Sequence, residues 1–182
     1  RLSFCHCDIR DAGLLRELIE GVDVIVNAAA ESHVEKSIEH RASEFVTTNV
    51  EGTQFLLDAI RATPVERFIL ISSSEVYGTA ESAPMDEEHP LKPRSPYAAT
   101  KAGAARLAYS YCTTYDLPIV IVRPFNNYGP RQHPEQVVPR FLTQAPPAEP
   151  PAIPHDRPEP RDPPARRDLG RAAPRPRAAA DR

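Results

Sequence analysis

The stretch RFILISSS, residues 67–74, decides how this chain folds: a run of large apolar residues, Phe68 to Ile71, passes without interruption into three serines. An apolar run with no polar alternation predicts a strand covered on both faces, as in a parallel sheet. Outward from it the pattern recurs. VDVIVNA at 22–28 and LPIVIV at 117–122 read as two more buried strands, and Leu2 to Asp8 as a further one near the start. Helical patterns lie between them. Asp11 to Glu20 places Leu14, Leu15, Leu18 and Ile19 on one side, Ser43 to Arg61 presents Phe45, Val50, Leu56 and Ile60, and Pro96 to Tyr115 follows a serine suited to cap it. Alternating strands and helices predict an α/β fold with right-handed crossovers, a Rossmann-like doubly wound parallel sheet between helices. Ligands of such sheets lie beyond the carboxyl ends of the strands. Polar residues gather at those ends: Asp8, Asn27 to His33, Ser72 to Glu75, and Asn126 with Asn127.

Composition divides the chain. Residues 146–182 hold 11 of its 21 prolines, and 27 of those 37 residues are Pro, Arg or Ala. Such a segment buries too little hydrocarbon to offset the entropy of ordering it, so 145–182 is expected to be a disordered tail and 1–144 the folding part. The tail carries 8 Arg against 6 acids, which leaves 14 basic and 19 acidic residues in the body. A body that acidic argues against nucleic-acid binding. No apolar run reaches the roughly 20 residues of a membrane helix, so neither a nucleic acid nor a membrane is expected as partner. Three cysteines fit reduced thiols and a cytoplasmic location. Cys5-His6-Cys7 alternates across a strand, and no second ligand pair with zinc spacing follows, so no metal is expected.

One feature of a dinucleotide site is missing. Before residue 50 the only glycines are Gly13 and Gly21, neither in a phosphate-binding turn. With Arg1 opening directly on strand-like sequence, the expectation is a chain that lacks the first strands and the Gly-rich loop of its sheet.

The sharpest chemical signal is Tyr97-Ala98-Ala99-Thr100-Lys101 at the start of a helix. Spacing of i, i+4 stacks Tyr97 and Lys101 on one face, where an ammonium favours the phenolate of a group whose reference pKa is about 10. A tyrosine and a lysine so spaced also occur as ordinary surface pairs, so the neighbouring motifs carry weight. Ser72 to Gly78 closes the preceding strand, with a serine hydroxyl able to bond a reacting alcohol and Glu75 able to take a carbon-bound proton.

Taken with DIRD at 8–11, AAAESHV at 28–34, TNVEGT at 48–53, SPYAATK at 95–101 and RPFNNYGPR at 123–131, the sequence resembles the extended short-chain dehydrogenase/reductase family, in its NAD-dependent nucleotide-sugar epimerase/dehydratase branch. The motifs run in family order over residues 1 to about 144. The resemblance implies NAD as cofactor, with Asp8 and Ile9 at the adenine, Ala29, Ala30 and Ser32 along the cofactor channel, and Thr48 and Asn127 beside the cofactor. It implies Tyr97 as base on the sugar C4 hydroxyl, Lys101 holding the nicotinamide ribose, and Ser73 bonding the C4 oxygen. Glu75 would remove the C5 proton, with His33 and Asn126 toward the nucleotide-sugar and Asn49 fixing its helix. A homodimer through a four-helix bundle, built from the helices near 43–61 and 96–115, is implied as well.

Within the branch, a 4,6-dehydratase comes first. Ser74 stands where those enzymes usually carry an Asp, which keeps a decarboxylase in play, while Glu75 speaks against a simple 4-epimerase. The break at Ala145-Pro146-Pro147 is where family members continue into a substrate domain, so a frameshift or a proline-rich interaction tail is expected there. Two readings follow: a fragment of a nucleotide-sugar enzyme, inactive by itself, or a noncatalytic module that associates through its helices or its tail.

Overall fold

The computed structural model describes residues 2–39, 41–134 and 136–144. The expected tail, 145–182, lies outside the described residues. The chain divides into two units, 1–127 and 128–182.

In the first unit, helix α1 (Ala12–Ile19) is followed by strand β1 (Val24–Asn27) and a short helix α2 (Val34–Glu39). A longer helix then runs in three parts: α3 (Ser43–Phe45), a π-helical turn (Val46–Glu51) and α4 (Gly52–Ala62). Strand β2 (Arg67–Ile71), a 3₁₀ turn (Ser74–Tyr77), helix α5 (Pro96–Tyr115) and strand β3 (Ile119–Val122) complete it. In the second unit the described residues form turns and one helix, α6 (Val137–Gln144), along which Arg140 Nε donates to Gln144 Oε1 at 3.1 Å.

The three strands form a parallel sheet in the order β1-β2-β3, with Ile25 beside Phe68 and Phe68 beside Ile119. Those three side chains share the face on which α1, α4 and α5 pack. The core there joins Leu15, Ile19, Leu57, Ile60, Phe68 and Leu70. Phe68 and Leu57 are fully buried. On the opposite face Val24, Val26, Val120 and Val122 are 38% to 56% exposed. The apolar runs predicted helices on both faces, and the described residues supply them on one. The reason is topological. Both crossovers step in the same direction across the sheet, and right-handed crossovers in one direction place α4 and α5 on one face; covering the other takes a crossover of opposite direction.

The predicted strand at Leu2 to Asp8 is not formed. Residues 2–7 are irregular, with Leu2 and Phe4 exposed. A strand is defined by a hydrogen-bonded neighbour, and the sheet among the described residues holds only β1, β2 and β3. The segment is tied down at Ile9, which packs against Gly52; a Cβ at position 52 would collide with the Ile9 side chain.

The helix from Ser43 differs from the sequence reading in its middle. Val46, Thr47, Thr48 and Val50 are β-branched and crowd an α-helical turn. The chain widens there, with the Gly52 amide donating to the Thr47 carbonyl, five residues back. Helix α5, by contrast, has the predicted bounds. Ser95 Oγ accepts from the Ala98 amide at 3.1 Å, Pro96 opens the first turn, and Ala98, Ala102, Ala105 and Ala108 form a small buried face that lets the helix lie close to its neighbours.

Replacing Phe68 by Ala removes the one aromatic ring that spans all three strands on the covered face, at a cost of about 3–5 kcal/mol. In urea titrations the Phe68→Ala chain is expected to lose most of its folded baseline; a loss under about 1 kcal/mol would show that this face is not the core.

Candidate functional site

The site is assembled where β2 ends and α5 begins. The chain leaves β2 at Ile71, and Ser73 Oγ accepts from the Glu75 amide at 3.2 Å, which caps the 3₁₀ turn carrying Glu75. Val76 and Tyr77 are buried beneath that turn. Arg123, just past β3, donates from Nη1 to Tyr77 Oη and to the Glu87 carbonyl, both at 3.1 Å, and lies over the Tyr77 ring. These contacts hold the 3₁₀ turn between two strand ends.

Tyr97 sits in the first turn of α5, partly buried, with its phenol facing the Ser73 side chain. Burial pushes the phenol above its ordinary pKa of 10, the Ser73 hydroxyl pulls it down by less, and the Glu75 carboxylate adds a further upward push. Ser73, Glu75 and Tyr97 are thus brought together as the sequence predicts. Lys101, one turn on, is 6% exposed and donates from Nζ to the Ile71 carbonyl at 2.5 Å. Burial lowers its ammonium from 10.5 to about 8. In this structure the groups acting on Tyr97 are its burial, Ser73 and Glu75, while the Lys101 ammonium is engaged by a main-chain carbonyl.

Asn27, one of the polar residues expected at a strand end, organises the site together with two residues that sequence reading gave no role, Thr53 and Thr100. Asn27 Oδ1 accepts from the Ala29 amide at 3.1 Å, which turns the chain out of β1, and its Nδ2 reaches Thr53 Oγ1 at 3.4 Å. Thr53 Oγ1 donates to the Asn49 carbonyl at 2.7 Å. The Asn49 side chain, 2% exposed, holds the Glu31 backbone at both its amide (2.8 Å) and its carbonyl (3.1 Å), and donates to Thr100 Oγ1 at 2.9 Å. Their sequence signal is the position of buried amides and hydroxyls opposite strand ends.

The remaining predicted residues lie as follows. Ala29, Ala30 and Ser32 follow β1 in the loop that Asn27 and Asn49 shape, and His33 closes it with a φ of 79°, a left-handed conformation rare for a residue with a side chain. Thr48 is in the π-helical turn. Asp8 is turned to Arg10, whose Nη2 lies 2.6 Å from Oδ2, and this bond holds its carboxyl at about 2. Ile9 packs on Gly52. Asn126 and Asn127 follow β3, exposed, with Asn127 Nδ2 donating to the Phe125 carbonyl at 2.9 Å.

What the arrangement can do chemically follows from its polar atoms. Lys101 has one N–H on Ile71 and two more to give, and Oγ of Ser72, the next residue after Ile71, is buried without a partner. Buried donors at a strand end suit a ligand rich in hydroxyls, and the Ser73–Tyr97 pair suits proton exchange with an alcohol. Among the described residues no group of three His, Cys, Asp or Glu side chains could hold a metal, and no helix is long and apolar enough to cross a membrane.

The buried ammonium has a stability signature. The unfolded chain keeps Lys101 protonated to its ordinary 10.5, whereas the folded chain releases the proton near 8. Between those values the unfolded state binds more protons, so folding stability from this group rises with pH across that window; below about 8 the folded state bears the whole cost of the buried charge. Lys101→Met is expected to stabilise the chain at pH 7 by ~1–3 kcal/mol and to flatten the rise, measured as urea midpoints from pH 7 to 10. A less stable Lys101→Met chain would mean that the bond to Ile71 outweighs the burial.

Comparison with known proteins bears out the resemblance. The model of the family described as GDP-mannose 4,6 dehydratase matches residues 1–153. The low-salt glycan biosynthesis protein of Haloferax volcanii is 53% identical over 142 residues, which is 78% of this chain and 46% of that protein. A dTDP-glucose 4,6-dehydratase from Actinoplanes sp. is 44% identical over 144 residues, covering 79% and 45%. The chain therefore spans less than half the length of these relatives. Among solved structures, DesIV, a dTDP-glucose 4,6-dehydratase from Streptomyces venezuelae crystallised with NAD, superposes with a TM-score of 0.75 at 52% identity, over 79% of this chain and 44% of that one. A UDP-glucuronic acid 4-epimerase from Bacillus cereus, in complex with UDP-glucuronic acid and NAD, gives 0.73 at 36% identity, over 78% and 45%. With a parallel sheet flanked by helices and Rossmann-like neighbours, the chain belongs to the GDP-mannose 4,6 dehydratase family of nucleotide-sugar epimerases and dehydratases.

Proposed function

We propose that the chain carries the catalytic strand ends of an NAD-dependent enzyme that modifies a nucleotide-sugar through a 4-keto intermediate, as a 4,6-dehydratase of the kind that acts on dTDP-glucose. One observation carries this reading: Ser73 and Glu75 converge on the Tyr97 phenol, with Lys101 one turn below it. Tyr97 takes the proton of the C4 hydroxyl, Ser73 holds the C4 oxygen, and Glu75 takes the proton from C5 as the C6 hydroxyl departs. With NAD bound, its nicotinamide would supply a transient acceptor for the C4 hydride, which would end on C6, while the C6 hydroxyl would leave as water with the proton taken from the C4 hydroxyl, so that the cofactor is regenerated in each turnover.

The residues fit such a cofactor. The spare donors of Lys101 and the orphaned Ser72 hydroxyl are suited to ribose hydroxyls. Asp8 and Ile9 would meet the adenine, Ala29, Ala30 and Ser32 would line the channel, Thr48 would lie toward the nicotinamide side, and Asn127 toward the cofactor. His33 and Asn126 are assigned to the nucleotide-sugar. A cation near a half-buried tyrosine favours its phenolate, so Lys101, one turn along α5, is the group that would make Tyr97 a competent base. The three free thiols suit a cytoplasmic enzyme, and the exposed Val46 and Tyr109 on the helices at 43–62 and 96–115 suit a homodimer through a four-helix bundle.

A second reading rests on Ser74, whose hydroxyl is a weak acid for a departing C6 oxygen. Decarboxylation of a nucleotide-sugar needs no acid at that carbon, since carbon dioxide leaves. Product identification separates the two.

Titrating the purified chain with NAD is expected to show saturable binding; a flat titration would leave only the family assignment. In a full-length enzyme carrying this sequence, Tyr97→Phe is expected to lower hydride transfer by about 10²–10⁴. Near-normal turnover would overturn the assignment of Tyr97 as the base.

A further inference from the structure

Thr100 stands between the two halves of the site. Its hydroxyl accepts from Asn49 Nδ2 at 2.9 Å and donates to the Tyr97 carbonyl at 2.8 Å. The chain of bonds has one possible direction. The Glu31 amide can only donate, so the Asn49 side chain must present Oδ1 to it and Nδ2 to the Glu31 carbonyl and to Thr100. Both Nδ2 hydrogens are then used. Thr100 must accept from Asn49, which leaves its single hydrogen for the Tyr97 carbonyl. Asn49 is 2% and Thr100 7% exposed, so neither bond is open to exchange with bulk water.

The π-helical turn makes this reach. Asn49 lies within it, on the only part of the 43–62 helix where the ladder is widened, and π-helical turns concentrate where a side chain is aimed at a site. The turn that carries Tyr97 is thereby fixed from two directions. Ser95 Oγ caps the Ala98 amide from outside, and Thr100 joins the Tyr97 carbonyl to Asn49 and through it to the loop after β1.

We propose that Thr100 is a positioning residue: through Asn49 it couples the Glu31 backbone, in the loop that follows β1, to the placement of Tyr97 against Ser73 and Glu75. The inference deepens the assignment of Tyr97 as the base and rests on it for its meaning in catalysis. Its physical content is independent of any ligand. Without the threonine hydroxyl, the buried Asn49 N–H has no acceptor and the Tyr97 carbonyl loses its inward tie, so the first turn of α5 shifts away from Ser73.

The test uses the 182-residue chain with tyrosines labelled at ¹³Cζ; the Tyr97 resonance among six is identified by its loss in Tyr97→Phe. The groups facing the phenol are Ser73 and Glu75, and both are left unchanged. Thr100→Val keeps the shape and removes the hydroxyl, and Thr100→Ser keeps the hydroxyl. Thr100→Val is expected to lower the Tyr97 titration midpoint by about half a pH unit or more, as the ring gains solvent, and to shift the Glu31 amide resonance. Thr100→Ser is expected to leave both near the parent chain. A Tyr97 midpoint unchanged in Thr100→Val would overturn the proposal, as would a Thr100→Ser chain that behaves like Thr100→Val. Should Thr100→Val lose its far-ultraviolet helical signal altogether, the residue is a structural one and the proposal is equally overturned. A chain that fails to bind NAD yet shows the predicted Tyr97 shift would sink the functional reading and leave the coupling intact.

Discussion

A parallel crossover must carry the chain from the carboxyl end of one strand back to the start of the next, and every functional feature of this molecule follows from that constraint. It obliges α5 to begin where β2 ends, so Tyr97 and Lys101 are delivered to the same end of the sheet as Ser73 and Glu75. It does the same for β1, whose exit loop is gripped by Asn49. The small buried face of α5 supplies the closeness. With alanines at 98, 102, 105 and 108, the helix approaches until a lysine in its second turn bonds a strand carbonyl.

The electrostatics of the site follow from the same closeness. A lysine within 2.5 Å of a strand carbonyl is deprived of water, and its charge becomes costly to keep. The tyrosine one turn earlier is deprived of water too, and its charge is costly to form. Each burial penalises one ion, so a pair in which the ammonium approaches the phenolate is favoured over either ion alone. In this structure the ammonium rests on Ile71, which makes the tyrosine a proton donor at neutral pH.

The strands, helices and the Ser73, Glu75, Tyr97 and Lys101 group were legible from sequence because local rules decide them: an unbroken apolar run, a serine before proline, an i, i+4 spacing. What was not legible depends on pairing across the chain. Leu2 to Asp8 has strand composition, yet its ladder has no neighbour among the described residues. The bare second face of the sheet depends on the direction of crossovers rather than on the valines themselves. The π-helical turn has a local cause in its β-branched run, but its purpose, an asparagine reaching two segments 18 and 51 residues away, appears only in three dimensions.

Gly52 offers a last consequence. Any side chain at that position meets Ile9 before it meets anything else. A side chain at 52 therefore displaces the Ile9 side chain from its seat and loosens the one contact that Gly52 makes with that segment. The segment before α1, which pairs with no strand among the described residues, is thus anchored to the fold by the packing of Ile9 on Gly52.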